Sequence, residues 1–180
     1  MIEPDYVSVT QVLSPWSDFS RVRPEVLHAA ALRGTRVHAI AAAILKGHYV
    51  PQPDPDIRGY VESFRRWVDL MAPVVVAVEP LWVCPVLGIQ GHPDLVAVLK
   101  GDYYPTLIDL KTPVTKLRTW RLQIAGYQLL AEANGIKVAR VASLRLDAGG
   151  GLPKFNEYST TLAGDREVFL AAVKTFKFFS

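Results

Sequence analysis

Residues 91–111 read GHPDLVAVLKGDYYPTLIDLK, two short apolar runs on either side of Lys100-Gly101-Asp102. Asp94–Lys100 and Tyr104–Leu110 have the length and aliphatic content of β-strands. A tight turn between them pairs them antiparallel. The near end of one strand then lies beside the far end of the other, which brings Asp94 within reach of Asp109. In an extended strand, side chains two apart share a face. Asp109 and Lys111 therefore project together, while Leu110 turns into the core and leaves its carbonyl oxygen available. Two carboxylates beside an ammonium group are what a protein needs to hold a divalent cation, and magnesium or manganese suits such oxygens. A bare D-x-K pattern recurs by chance, so its weight rests on its surroundings.

Upstream, Val7–Val12 alternates and Ser14-Pro15 breaks it, so the first two dozen residues read as extended or looped. A helix starts at Pro24 or Glu25, where proline suits the first turn and glutamate the dipole, and stops at Gly47. Residues 50–55 form a proline-rich linker. A second helix over about 57–71 carries Tyr60, Phe64 and Trp67 at helical spacing, read as core aromatics. Residues 74–78 and 80–86 are β-branched and strand-like. Downstream come a helix over 116–133 stopped by Asn134-Gly135, a strand over 136–146, a turn at Gly149–Gly151, a strand over 155–160 and a helix over 164–179. A strand–helix–strand unit makes its strands parallel through a right-handed crossover. The expectation is an α/β fold, a mixed central sheet flanked by helices in the order αβββαβ. It forms one domain over 1–180: a helical part at 1–73, a sheet core at 74–160 and a last helix at 164–180.

The helix after Lys111 carries Gln123 and Tyr127, four apart and on one face. That face can close over the carboxylates, where an amide or a phenol can bond a metal-bound water or a phosphate oxygen. On spacing alone, a core Tyr127 and an exposed Gln123 remain equally open. Trp120 reads as core in preference to a stacking platform. His38, on an alanine-rich helix, reads as a core histidine by itself.

The chain has 180 residues, half of them hydrophobic, enough to close a core without staples. Its single cysteine, Cys84, excludes an internal disulfide, a four-cysteine zinc site and a cysteine-held iron–sulfur cluster within this chain. Met1–Asp5 lacks the basic and apolar regions of a secretory leader, and no apolar run reaches membrane-spanning length. These features predict a reducing, cytoplasmic setting and no membrane partner. A net charge of +3 and a pI near 9.0 weakly favour an anionic partner.

Gly91-His-Pro-Asp94, Ile108-Asp-Leu-Lys-Thr112 and Gln123-x3-Tyr127, in this order, resemble the PD-(D/E)xK nuclease superfamily, in particular its RecB-like and phage-type exonuclease branch. Arg33-Gly-Thr-Arg-Val-His38 resembles that branch's G-x3-H motif, and Val9–Leu13 the start of phage-type members. The likeness spans roughly residues 7–146. It implies a restriction-endonuclease-like core. It also implies a Mg2+ or Mn2+ ion held by His38, Asp94, Asp109 and the Leu110 carbonyl, with Lys111 catalytic and Gln123 and Tyr127 beside it. Glu79 is a further acidic candidate, since some members carry an acid just ahead of the first hairpin. The implied activity is metal-dependent hydrolysis of DNA in recombination, repair or phage DNA processing. Cluster-bearing relatives are excluded by the cysteine count, and no G-x4-GK[ST] nucleotide loop is present. Arg33, Arg36, Lys116, Arg118 and Arg121 are the candidate DNA-binding cations, with a solvated helix face as the alternative. A recombination-protein partner and a second copy of the chain both stay open.

Overall fold

A computed structural model describes residues 6–17, 19–20, 22–113 and 115–180. In chain order the elements are β1 (Val7–Ser8), α1 (Val9–Leu13), α2 (Pro24–Leu45), α3 (Pro55–Met71), β2 (Val74–Val78), β3 (Trp82–Cys84), β4 (Ile89–Gly91), β5 (Leu95–Val98), β6 (Thr106–Lys111), α4 (Thr119–Ala133), β7 (Arg140–Arg145), β8 (Lys154–Glu157) and α5 (Leu162–Phe179). The main sheet has the order β2-β5-β6-β7-β8. Only the β6–β7 pair is parallel, joined through α4; the other neighbours run antiparallel. The fold is therefore mixed α/β, with helices on both faces of a mixed sheet.

Alternation along β5 and β6 sets the layers. Leu95, Ala97, Ile108 and Leu110 face one core, under α2 and α3; Val96 and Leu107 face the other, under α4, α5 and α1. Asp109 and Lys111 follow the period onto the α4 face. On the α3 side, Tyr60, Phe64 and Trp67 are buried as the 3.6-residue period requires, and Phe64 stacks on Trp67 at 5.8 Å between centroids. Each of those two rings contributes roughly 2 kcal/mol by burial. Helix α3 stops at Ala72, whose φ of 40° is a left-handed cap. Helix α4 lies close against α1 and α5 at Gly126, where a Cβ would come within 2.6 Å of Phe169 Cζ and 2.9 Å of Val9 Cγ1.

Three local expectations give way. Residues 9–13 are helical, because Ser8 and Gln11 form a reciprocal capping box: the Gln11 N–H donates to Ser8 Oγ at 3.0 Å and the Ser8 N–H to Gln11 Oε1 at 2.9 Å. That S-x-x-Q signature outweighs the alternation of valines. The single expected sheet becomes two: β3 leaves β2 and pairs with β4, and β1 joins β4, giving a small sheet of order β1-β4-β3. The strand expected over 136–146 begins only at Arg140, because its partner β6 begins opposite it at Thr106, with the Ala139 N–H donating to the Pro105 carbonyl at 2.9 Å just before the ladder.

Candidate active site

The β5–β6 ladder ends at the pair Leu95↔Ile108. Beyond it the Asp94 side chain takes the place of the missing backbone partner. Its Oδ2 accepts the Leu110 N–H at 2.6 Å, and its Oδ1 lies 2.9 Å from His38 Nδ1. Leu146 N–H donates to the Lys111 carbonyl, so that carbonyl faces β7. Carbonyls alternate sides along a strand, so the Leu110 carbonyl faces Asp94. His38 reaches the same point from the middle of α2, leaving Nε2 for another partner.

Asp109 is 2% exposed. Its Oδ1 accepts from Gln123 Nε2 at 3.3 Å, and Lys111 Nζ stands 2.5 Å from its Oδ2 as an ion pair. The ammonium thus compensates the buried Oδ2 directly. Gln123 ties the group together. Its Oε1 accepts from Lys111 Nζ at 2.8 Å, and its Nε2 donates to the Tyr127 hydroxyl at 3.1 Å. The ring of Trp120 lies 5.6 Å from Lys111 Nζ. Trp120 is buried, as its core reading has it, with Lys111 Nζ over its ring, while Tyr127 is buried and also bonds the polar group through its hydroxyl.

Burial pushes the Asp109 carboxyl up to about 6; Lys111 pulls it down, and the nearby charge of Asp94 adds to the rise. Burial works against the charged form of His38, but the charge and hydrogen bond of Asp94 outweigh it and leave the imidazole above its ordinary value. Burial, reinforced by Asp109, drives the Tyr127 phenol far up, so it stays neutral.

A divalent cation fits this donor set by chemistry: two carboxylates, a peptide carbonyl on the Asp94 side of β6 and an imidazole with one nitrogen committed to a carboxylate. Among the described residues, no three His, Cys, Asp or Glu side chains already stand as a chelating cage. His38 and Asp94 hold one another, and the Lys111 ammonium neutralises Asp109.

No protein-family model and no curated protein sequence matches the chain. Among solved structures, it is similar to a crystal structure of a "Putative exonuclease" from Eubacterium rectale. That match covers 97% of this chain and 82% of the other, at 12% identity and a TM-score of 0.48.

The remaining expected residues divide. Glu79 is half-buried at a φ of 47°, a conformation that costs a non-glycine residue of order 1 kcal/mol. Its N–H donates to the Asp94 carbonyl at 3.1 Å, which fixes it beside the site. Arg33 lies 5.8 Å from the Tyr60 ring. Lys116 and Arg118 are exposed ahead of α4, with Lys116 Nζ 4.6 Å from the Tyr158 ring. Arg36 is held by Asp54 and by Asp56, the latter at 2.9 Å, and Arg121 by Asp165 at 2.6 Å. Acids from α3, its cap and α5 thus engage these two of the candidate DNA-binding cations. Gly91 of the Gly91-His-Pro-Asp94 motif also has a steric role. A Cβ there would lie 2.8 Å from Tyr127 Cε1, so the small sheet lets α4 approach only at a glycine. No helix among the described residues is long and apolar enough to cross a membrane.

Proposed function

We propose that the protein is a divalent-metal-dependent nuclease that hydrolyses DNA phosphodiester bonds, working as an exonuclease from strand ends. The observation that carries this reading is the group Asp109–Lys111–Gln123–Tyr127 beside His38–Asp94. In it a buried carboxylate, raised by burial, stands next to an ammonium group with a second carboxylate nearby. Mg2+ or Mn2+ would be held by Asp94, Asp109, the Leu110 carbonyl and His38, and when bound would supply Lewis-acid activation of water and phosphate. Lys111, 12% exposed at its side chain, stabilises charge that develops on the phosphate oxygens. Gln123 fixes the ammonium and the carboxylate relative to each other. Tyr127, neutral and accepting from Gln123, keeps its own proton to donate. The preference for strand ends, and a setting in DNA recombination, repair or phage DNA processing, rest on the motif resemblance.

The test compares end-labelled linear DNA with closed circular DNA in Mg2+ or Mn2+, and separately titrates Mn2+ by electron paramagnetic resonance. Linear DNA is degraded from its ends, the circle stays intact, and chelation stops the reaction. Mn2+ binds the parent and not Asp109→Ala. A cut circle converts the reading to an endonuclease. Binding of DNA without cleavage in either metal converts it to a non-catalytic DNA-binding subunit. Cleavage unchanged in Asp109→Ala overturns the site.

A further inference from the structure

The five candidate cations for contact with a nucleic acid are separated by what each one touches. Arg36 is engaged by Asp54 and Asp56, and Arg121 by Asp165. Arg33 lies against the Tyr60 ring, on the α2–α3 side of the sheet. Lys116 and Arg118 remain. Both are exposed, and neither is paired with an acid among the described residues.

These two residues share a groove of about 380 Å³ between the start of α4 and the link from β8 to α5, with Arg121, Glu157 and Tyr158 also in its wall. The acids there are already matched. Glu157 accepts from Arg140 at 2.8 Å and from the Ser159 hydroxyl at 2.8 Å. Asp165, which holds Arg121, also accepts the Thr161 hydroxyl at 2.8 Å. Lys116 Nζ stands 4.6 Å from the centre of the Tyr158 ring, a contact that orders the ammonium without neutralising it. The groove therefore keeps two positive charges that no carboxylate in its wall offsets.

The groove also lies on the face of the sheet that carries the candidate site. The Tyr158 hydroxyl meets Ser143 Oγ at 2.9 Å, and Ser143 stands beside Asp109 in the β6–β7 register, its side chain on the same face. Arg118 is the cap of α4, and the Trp120 ring in the first turn of that helix lies 5.6 Å from Lys111 Nζ. One indole and one turn of helix thus separate the lysine of the site from the groove.

We propose that Lys116 and Arg118 hold the phosphate backbone of the substrate strand where it leaves the candidate active site, along the groove between α4 and the β8–α5 link. This rests on the nuclease reading and adds the path of the strand to it. A mobile ammonium and a guanidinium fork both suit phosphate oxygens. Contacts of this kind position a strand without reading its sequence. Arg121, already paired, shapes the wall of the groove.

The probe is a fluorescein-labelled single-stranded DNA dodecamer, with binding measured by anisotropy in a chelator at a series of salt concentrations. Lys116→Gln/Arg118→Gln weakens binding about tenfold at low salt. The slope of log affinity against log salt falls by about 1.4 in magnitude, for two lost single-strand phosphate contacts. The charge-conserving pair Lys116→Arg/Arg118→Lys keeps the slope, which separates lost phosphate contacts from a disturbed fold. Arg65→Gln/Arg66→Gln removes the same net charge from exposed positions of α3 and also keeps it. If the α3 pair lowers the slope as much, the effect is one of overall charge and the groove is wrong. If the parent cleaves DNA while the Lys116/Arg118 glutamine pair binds with the parent's slope, the groove is wrong and the nuclease reading stands. A parent that neither binds nor cleaves any nucleic acid overturns both.

Discussion

Strand β7 carries an arginine at each end, and the two are treated differently. Arg140 sits between two acids, Asp102 at 2.7 Å and Glu157 at 2.8 Å, in a partly exposed network. Its hydrogen bond holds the Glu157 carboxyl below its ordinary value. Arg145 stands in a row with Lys111 on one side and Lys154 on the other. Near it, Asp109 is buried and its carboxyl raised instead of lowered. One end of the sheet has its charges matched for the folded chain alone. At the other, the pair formed by Lys111 and Asp109 is buried, and burial raises the carboxyl, as happens at functional sites.

The contrast can be broken most sharply at Lys111. Lys111→Ala should lower the single-turnover cleavage rate about 10³-fold, as loss of a preorganised charge does. The circular dichroism spectrum should stay that of the parent. A rate within threefold of the parent would make Lys111 as structural as Arg140. Gln123→Ala removes the amide that fixes both Lys111 and Asp109, and should cost about 10–100-fold in rate or metal affinity. Mn2+ titration beside kinetics tells which of the two carries the loss.

Stability tests the same contrast from the other side. The folded-state pKa of Asp109 lies above its unfolded value, so ionising it penalises the fold. That penalty is complete above about 6 and absent below the unfolded value of about 3.9. Metal-free Asp109→Asn should therefore be more stable than the parent at pH 8, by about 1–3 kcal/mol, with the difference shrinking as pH falls through that window. A lower melting temperature for the variant at pH 8 would mean that the Lys111 ion pair outweighs burial. At the matched end, Glu157→Gln should cost under about 1 kcal/mol, since both partners are partly exposed. It should leave the cleavage rate alone.

Much of this was legible in the residues. Period-2 alternation placed Asp109 and Lys111 on one face and Leu110 on the other, and the 3.6-residue period buried Tyr60, Phe64 and Trp67. Spacing of four put Gln123 and Tyr127 together, and they do bond. The pairing of His38 with Asp94 spans 56 residues, and only the motif resemblance suggested it; no local pattern encodes such a contact. The separate sheet built by Trp82–Cys84 was hidden because a short β-branched run does not reveal its partner. The commitments of Arg36 and Arg121 to acids were equally invisible, since an ion pair between distant residues leaves no spacing to read.

Gly126 has no functional group, and it packs into the apolar layer beside the polar site. Its missing methyl lets the helix settle to contact with Phe169 and Val9. Three residues earlier and one later, the same rigid rod carries Gln123 and Tyr127. The height at which an amide meets a carboxylate is thus set from the side, by clearance in the apolar layer. Copying the six polar residues onto another scaffold would transfer the reagents without the spacer that brings them to working distance.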